Sequence, residues 1–350
     1  MKTRLKAFAC SLVLTAAAAA QSGLHAQRAT EVQQYIQTTF WNRNSDLYAG
    51  RADKPDPDFV WGGGVAFSAL VGASRHDKSW QPLMKKYFNG LDRYWDDKVK
   101  IPGYEPSPTA GNGNDKYYDD NAWMVLTFVE AHELTKDSRY LKRAADTLDF
   151  VLSGWDDKAG GGIWWHEGHK DGSKNTCVNA PAAFGCLEIA RLNPKRAPKL
   201  IAEARRIAEW TNKTLQQPNA LFVDRIEVAS GKIHRGQLTY NSGLMIRANL
   251  GLYQQTKEDV FLMEAKRIAK AAESLLNRET GAYRDPVKWS HLMTEADLEL
   301  HGATGDGYLL ERSWKNAEFH YQQFKKDPPK DLLTAASIAR ELWLMAEYDR

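Results

Sequence analysis

The chain has 350 residues, of which 43% are hydrophobic and 26% are charged, and its 47 basic side chains nearly balance its 44 acidic ones. This length accommodates one large domain or two modest ones, and the apolar content is ample for a core. A chain so close to neutrality lacks the electrostatic footprint of proteins that bind nucleic acid or anionic membranes, and a neutral polymer such as a polysaccharide is an easier partner.

The N-terminus has the pattern of a secretory signal peptide. Three basic residues within the first six precede an apolar stretch over residues 7–20, and small residues follow. The stretch is too short for a lasting membrane anchor, and cleavage after Ala20 or after Ala26 fits the pattern. We therefore assign residues 1–26 to the signal peptide and 27–350 to a single domain, exported to the periplasm or the medium as a monomer. Removing the leader lowers the basic count from 47 to 44, equal to the 44 acidic residues.

Twelve helical patterns follow the leader, each with apolar residues recurring at intervals of three and four. They are predicted over residues 29–42, 61–74, 78–94, 119–134, 137–153, 175–192, 195–213, 239–256, 258–277, 288–303, 306–325 and 332–348. Alternating runs that would predict long strands do not compete with them, and short β-like pieces such as residues 162–165 and 221–223 fall between helices. The sequence therefore predicts an all-α fold.

The connections between these helices alternate in length. Short polar turns join the second helix to the third, the fourth to the fifth, and so on in pairs. Long loops rich in Gly, Trp, Tyr and Asp separate the pairs, over residues 95–118, 154–174, 214–238 and 278–287. A helix pair used six times is a repeat architecture. We predict an (α/α)6 barrel whose inner helices follow the long loops, with a cleft on the loop-rich face. An open superhelical array is the competing topology.

Two cysteines, Cys177 and Cys186, follow the leader within one predicted helix. Nine positions on a helix separate two residues by about 13 Å along the axis and place them on opposite faces. Bridged cysteines need Cα atoms within about 7 Å. We therefore predict two buried free thiols.

The chemically most informative stretch is the adjacent pair Asp119 and Asp120 at the predicted start of the fourth helix, with Tyr117, Tyr118 and Trp123 around it. Paired carboxylates are what glycosidic bond cleavage requires, one to protonate the leaving oxygen and one to support the oxocarbenium-like carbon. Acids also stabilise a first helical turn by about 0.3–1 kcal/mol through capping and the helix dipole. Burial against aromatic rings, which raises a carboxyl pKa, distinguishes a general acid from a cap.

Adjacent residues on a regular helix point about 100° apart, whereas the two carboxyls of a retaining glycosidase lie about 5–5.5 Å apart. One of the two aspartates is therefore expected to precede the regular helix.

Other candidates share the loop-rich face. Asp96-Asp97 and Asp156-Asp157 each follow a Trp and precede a Lys, which indicates equivalent turns in successive repeats. Trp164 and Trp165 are neighbours in an extended segment, so their side chains point to opposite sides. One is expected to pack and the other to face the cleft as a sugar platform.

No cofactor or metal site is predicted. His166 and His169 are three positions apart with a glycine between them, whereas a helical zinc motif has histidines at i and i+4 with a glutamate between them. Phosphate-cradling loops, dinucleotide fingerprints and serine-nucleophile elbows have no counterpart in the sequence.

These motifs resemble glycoside hydrolase family 76, the bacterial and fungal α-1,6-mannanases. The resemblance rests, in chain order, on residues 117–123, 161–165, Lys174-Asn175 with Asn179, and 239–243. It implies an (α/α)6 barrel and retaining, endo-acting hydrolysis of α-1,6-linked mannose chains, with Asp119 as nucleophile and Asp120 as general acid/base. The candidate substrate-binding residues are Tyr117, Tyr118, Asn121, Trp123, Trp164, Trp165, Lys174, Asn175, Asn179, Tyr240 and Asn241. Residues 291–314 carry no sugar-binding motif of this family.

Two other functions compete with a mannanase. One is another carbohydrate enzyme of the same architecture, an unsaturated glucuronyl hydrolase or a sugar epimerase. An epimerase would use histidines, and His166, His169 and His234 are the candidates on the loop face. The other is a secreted glycan-binding protein without catalysis.

Overall fold

The computed structural model describes residues 23–113 and 115–349. The predicted signal peptide therefore lies almost entirely outside the described residues. Within the described part the chain forms twelve α-helices, in agreement with the sequence pattern. They are α1 (Leu24–Thr39), α2 (Val60–His76), α3 (Gln81–Leu91), α4 (Tyr118–Thr135), α5 (Ser138–Leu152), α6 (Thr176–Leu192), α7 (Ala197–Leu215), α8 (Thr239–Thr256), α9 (Asp259–Ala271), α10 (Val287–Thr304), α11 (Gly307–Lys326) and α12 (Leu332–Ala346).

The even-numbered helices form a closed inner ring. Each contacts the next in the order α2, α4, α6, α8, α10 and α12, and α12 contacts α2. The odd-numbered helices pack outside, with α1 against α12 and each of the others against the inner helix before it. This closure is the predicted (α/α)6 barrel and excludes the open array.

The two rings differ in sequence because they differ in burial. An inner helix is covered nearly all round, and α6 is buried along most of its length. An outer helix is amphipathic: α5 buries Tyr140, Ala144, Leu148 and Val151 at spacings of three and four and exposes its charged face.

Short turns carry the chain from the inner to the outer ring. After α4, α8 and α10 the turn residue is left-handed, with φ of 59° at Lys136, 62° at Lys257 and 75° at Gly305. The last threonine of each helix accepts a hydrogen bond from the backbone N–H two residues on. These turns are the ones that the sequence pattern predicted.

In the described part of the chain, the connections that lead from outer to inner helices contain three small antiparallel sheets that the sequence did not predict. They are β1–β3 (Trp41–Asn42, Leu47–Arg51, Lys54–Pro57), β4–β5 (Trp95–Asp96, Gly103–Tyr104) and β6–β8 (Ser173–Asn175, Arg225–Glu227, Ile233–His234). Asn175 pairs with Arg225 across β6 and β7. Strand β1 also explains why α1 ends at Thr39, before the predicted limit.

Cys177 and Cys186 are both buried in α6 and both free, as predicted. No helix in the described ranges is long and apolar enough to cross a membrane. At the N-terminal end of the described chain, the buried His25 ring forms a hydrogen bond with the Asp349 carboxylate and ties α1 to the C-terminal segment.

Candidate active site

A cleft of about 690 Å³ opens where the inner helices begin and the long loops meet. Helices α2, α4, α6, α8 and α10 each contribute residues from the first turn or the position just before it. The lining residues are Phe59, Trp61, Pro106, Tyr117, Asp119, Asp120, Trp123, Trp165, Ser173, Asn175, Cys177, Asp224, Arg225, Tyr240 and Trp289. The loop-rich face is therefore the cleft face, as the alternating loop lengths predicted.

Asp119 is held on both carboxylate oxygens. Its Oδ1 accepts a 2.9 Å hydrogen bond from the backbone N–H of Asp120. Its Oδ2 accepts a 2.8 Å bond from the indole N–H of Trp165, and the Cys177 thiol lies 3.5 Å from the same oxygen. Three donors directed at one carboxyl fix its orientation and favour its charged form.

The two neighbouring acids have separated proton affinities. Burial raises the pKa of Asp119 to about 6, while the hydrogen bonds from Trp165, the Asp120 N–H and Cys177 oppose that rise. Burial and the adjacent Asp119 charge raise the pKa of Asp120 well above its ordinary value. The hydrogen bonds to Asp119 favour its ionised form, and the neighbouring Asp119 charge favours the protonated form of Asp120, which is the division of roles that a nucleophile and a general acid require.

The expectation that one aspartate precedes the regular helix is wrong. Helix α4 already includes Tyr118, and the extended residue before it is Tyr117, with φ −95° and ψ 131°. Both aspartates lie in the first helical turn, where the backbone N–H groups and the helix dipole face the cleft.

Seven predicted site residues lie in the lining of the cleft: Tyr117, Asp119, Asp120, Trp123, Trp165, Asn175 and Tyr240. The neighbouring tryptophans divide as their alternation predicted. Trp164 is fully buried, whereas Trp165 is 39% exposed in the cleft. Trp165 also packs edge-on against Tyr117, with ring centroids 5.1 Å apart.

Six predicted site residues are absent from that lining because they are buried below it: Tyr118, Asn121, Trp164, Lys174, Asn179 and Asn241. Tyr118 stacks on Phe150, and the Trp164 indole N–H donates to Asp156. The sequence placed them in the cleft because they adjoin residues that do lie there.

Asn121 and Asn179 make equivalent hydrogen bonds to the loop backbone in successive repeats. Asn121 accepts from the Tyr104 N–H and donates to the Tyr104 carbonyl. Asn179 makes the same two bonds with Ile163. Each asparagine thus pins the preceding long loop to the start of an inner helix.

The other acid pairs form turns, as predicted, and also hold buried lysines. Asp96 and Asp156 each accept from the backbone N–H two residues on. The Asp96 carboxylate lies 3.3 Å from Nζ of buried Lys116, and that of Asp156 lies 2.6 Å from Nζ of buried Lys174. Both lysines precede an inner helix by two residues, which makes the arrangement a feature of the repeat.

Several lining residues were missed from the sequence, notably Phe59, Trp61, Asp224, Arg225 and Trp289. Trp61 and Trp289 occupy the second and third positions of inner helices, as Tyr240 does in α8. An aromatic residue at the start of an inner helix was therefore the available signal. Asp224 and Arg225 form an ion pair beside the β7 strand, which the sequence did not reveal.

A second cavity of about 480 Å³ adjoins the first and shares Tyr117, Trp165, Ser173 and Arg225 with it. His166 and His169 line this second cavity and not the first. His234 lines neither cavity and pairs with Glu227. The histidines proposed for an epimerase are thus absent from the lining of the cleft that holds the aspartates.

Comparison with known proteins identifies solved structures that share this architecture. A search of curated protein sequences finds no match. Among solved structures, the chain is similar to a GH76 alpha-mannanase of Bacteroides thetaiotaomicron, with a TM-score of 0.85, 24% identity, and coverage of 93% of this chain and 96% of that one. It is also similar to the GH76A alpha-1,6-mannanase of Salegentibacter sp., with a TM-score of 0.80, 22% identity, and coverage of 92% and 99%.

A third similar structure is Dfg5 of Chaetomium thermophilum in complex with glucosamine, with a TM-score of 0.75, 14% identity, and coverage of 94% of this chain and 90% of that one. At these identities the structural likeness establishes the fold. The family is established separately, because the sequence profile of Glycosyl hydrolase family 76 matches residues 25–312. The chain therefore belongs to glycosyl hydrolase family 76 and is a glycoside hydrolase.

Proposed function

We propose that this enzyme is an endo-acting α-1,6-mannanase that retains anomeric configuration, with Asp119 as nucleophile and Asp120 as general acid/base. The observation that carries the proposal is the environment of the pair. Asp119 accepts hydrogen bonds on both oxygens, while burial and the adjacent Asp119 charge raise the pKa of Asp120 well above its ordinary value.

The residues perform the two chemical steps as follows. Ionised Asp119 attacks the anomeric carbon while protonated Asp120 donates its proton to the departing glycosidic oxygen. Asp120, now a carboxylate, then takes a proton from water as the water oxygen attacks the same carbon and releases Asp119. The hydrogen bonds from Trp165 and Cys177 hold the Oδ2 atom of Asp119 throughout.

The relatives support both the residues and the substrate. The Salegentibacter enzyme is an alpha-1,6-mannanase, and a variant with two consecutive aspartates changed to asparagine is inactive and is seen in complex with alpha-1,6-mannotriose. In the present chain one pair of consecutive aspartates lines the cleft, Asp119 and Asp120.

The shape of the site supports internal cleavage. The cleft and the adjoining second cavity share a wall of Tyr117 and Trp165, so the space beside the aspartates continues past them. A polymer needs room on both sides of the bond that is cut. Flat faces of Trp61, Trp123 and Trp289 supply apolar surface for sugar rings along the cleft.

The test is incubation of the mature protein with unbranched α-1,6-mannan, with products followed by size and by anomeric configuration. Internal cuts that leave α-configured ends, abolished by Asp119→Asn and by Asp120→Asn, are the expected result. Intact mannan beside an active control enzyme would refute the mannanase. A glycan-binding protein would instead retain affinity for the polymer in both variants with no turnover to lose.

We propose further that the enzyme acts after export, as a monomer. The support for export is the leader pattern, together with a polymeric substrate that is too large to cross a membrane unaided. N-terminal sequencing of the protein recovered from periplasm and medium tests the export, and size-exclusion chromatography with light scattering tests the monomer.

A further inference from the structure

Three side chains from two separate loops meet at the rim of the second cavity: Asp115, His166 and His169. One ligand atom from each lies within 4.8 Å of the other two. The Asp115 Oδ2 atom is 2.5 Å from His166 Nδ1 and 3.8 Å from His169 Nε2. The glycosidase mechanism uses none of these groups.

The contact between Asp115 and His166 is not an ordinary hydrogen bond. Although the two atoms are 2.5 Å apart, His166 Nδ1 has no partner in hydrogen-bond geometry among the described residues. A buried ring nitrogen without a hydrogen-bond partner, beside a carboxylate oxygen, can serve as a ligand atom for a cation in its neutral form. The Asp115–His166 and Asp115–His169 distances also bracket the separation of about 3.3 Å expected between ligands placed about 2.0–2.1 Å from a tetrahedral zinc.

The backbone holds the two loops in this register. Tyr117 pairs with His166 as an antiparallel bridge, the Glu167 N–H donates 2.9 Å to the Lys116 carbonyl, and the Tyr118 N–H donates 3.0 Å to the Trp165 carbonyl. Antiparallel pairing brings the residue before Lys116 opposite the residues after His166. The site is therefore fixed by main-chain pairing.

The carboxylate is oriented by a contact behind it. The Gly168 N–H donates 2.5 Å to Asp115 Oδ1, which leaves Oδ2 directed at both rings. A Cβ at position 168 would lie 2.7 Å from Asp115 Oδ2, so glycine is what lets the carboxylate sit there. Hydrogen bonds of this kind orient the ligands of metal sites.

We propose that Asp115, His166 and His169 form a three-ligand site for a divalent ion of the zinc class, with the fourth position open to solvent. Two imidazoles and a carboxylate suit zinc, and a site with three protein ligands leaves one position for water. The sequence analysis did not find this site because it searched for a helical zinc motif, with two histidines at i and i+4. Here the two histidines lie in a loop, and the third ligand, Asp115, comes from a different loop. The ion would tie together the two segments that present Tyr117 and Trp165 to the cleft.

The experiment titrates Zn²⁺ into untagged, EDTA-dialysed mature protein at neutral pH and follows binding by calorimetry and thermal unfolding. Wild-type protein should bind one equivalent and gain in Tm, because a ligand that binds only the folded state stabilises it. Co²⁺ in place of Zn²⁺ should give the visible absorption of a histidine-ligated ion.

The variant His169→Ala removes a ligand whose side chain is 70% exposed, so folding is not threatened. It should weaken Zn²⁺ binding by at least about 100-fold, since loss of an outer-shell partner alone costs about 10–100-fold. The matched control is His234→Ala, which breaks a histidine–carboxylate pair with Glu227 that has no third ligand and should leave binding unchanged. Absence of saturable binding, or equal affinity in wild type and His169→Ala, would overturn the proposal.

Discussion

The indole N–H of Trp165 donates a 2.8 Å hydrogen bond to Oδ2 of Asp119, across 46 positions of sequence. The same tryptophan lines the cleft and is partly exposed there. One side chain therefore both orients the proposed nucleophile and forms the wall against which a sugar would lie.

Replacing Trp165 by Phe tests this dual role. The variant keeps an aromatic face but removes the N–H that favours the ionised carboxylate, so the pKa of Asp119 should rise. Hydrogen bonds to charged groups contribute about 1.5–3 kcal/mol, which corresponds to a loss of about 10- to 150-fold in kcat. The acid limb of the pH–rate profile should move to higher pH.

The control for this variant is Trp61→Phe. The indole N–H of Trp61 belongs to the same cleft but has no hydrogen-bond partner within residues 23–113 and 115–349. Its acid limb should stay at the wild-type pH. A Trp165→Phe enzyme with an unshifted limb would show that the hydrogen bond does not control ionisation.

The pH dependence of the wild type follows from the separated pKa values. The proposed mechanism requires ionised Asp119 and protonated Asp120. The rate should therefore rise as pH increases through the pKa of Asp119, about 6, and fall at higher pH as Asp120 loses its proton. Measurement of kcat/KM between about pH 4 and 9 should give a bell-shaped profile. Its two apparent pKa values belong to the coupled pair of Asp119 and Asp120. A rate that is flat below pH 6 would contradict the assignment.

Cys177 contributes a weaker contact to the same oxygen of Asp119, at 3.5 Å. Its replacement by Ala should lower kcat by about 2- to 10-fold, the size expected for a modest hydrogen bond. Cys177→Ser keeps a donor and should retain more activity than Cys177→Ala. Cys186→Ala is the matched control, because this second buried thiol of α6 does not line the cleft. It should alter stability without shifting the pH profile.

The helices and the barrel were predictable because they depend on local spacing. Alternation of short and long connections located the inner ring, and the apolar pattern located each helix. The turn at Lys136 depends on residues that are adjacent in sequence, so it was predictable as well.

The site was only partly predictable because its geometry depends on how loops pair. Trp164 and Trp165 are adjacent and chemically identical, and the tertiary fold decided which one faces the cleft. In the sequence, Lys174 and Asn179 resemble residues that recognise a substrate. In the structure, their hydrogen bonds go to Asp156 and Ile163 and hold a loop in place. Asp115 meets His166 only through the antiparallel register of two separate segments.

The pair of Asp119 and Asp120 should reduce stability at neutral pH. Both carboxyls have pKa values raised above the ordinary value, so the unfolded chain ionises first as pH rises. The free energy of unfolding therefore falls between about pH 4 and the raised pKa values, and the cost is fully present above them. The double variant Asp119→Asn with Asp120→Asn should have a Tm higher by roughly 2 °C or more at pH 7.

This advantage of the double variant should shrink as the pH falls from the raised pKa values toward 4, because the carboxyls of the folded wild type become protonated over that range. Asp157→Asn, at an exposed aspartate outside the cleft, controls for loss of charge alone. A double variant less stable than the wild type at pH 7 would show that the ionised pair is stabilised by contacts that outweigh its burial.

Lys174 should be essential for stability although it does not line the cleft. Its fully buried Nζ donates to Oδ1 of Asp156 and to the carbonyls of Asp156, Lys158 and Gly161, at 2.6–2.9 Å. Lys174→Met leaves these acceptors without their cation. Removal of one partner of a fully buried ion pair costs about 3–5 kcal/mol. Because the Asp156 side chain is 34% exposed, the loss here should be smaller than that, but denaturant unfolding should detect it.

Lys174→Met should also lower activity, because Lys174 holds in place the loop that continues to Trp165. That loop carries Trp165, which donates to Asp119, so kcat should fall even at temperatures where the variant is folded. Lys158→Met is the control, because Lys158 is an exposed lysine of the same loop, and such surface changes usually stay within about 0.5 kcal/mol. If Lys174→Met unfolded like the wild type but lost turnover, Lys174 would act on the cleft directly. If stability and turnover fell together, the role of Lys174 would be to hold Trp165 against the proposed nucleophile, Asp119.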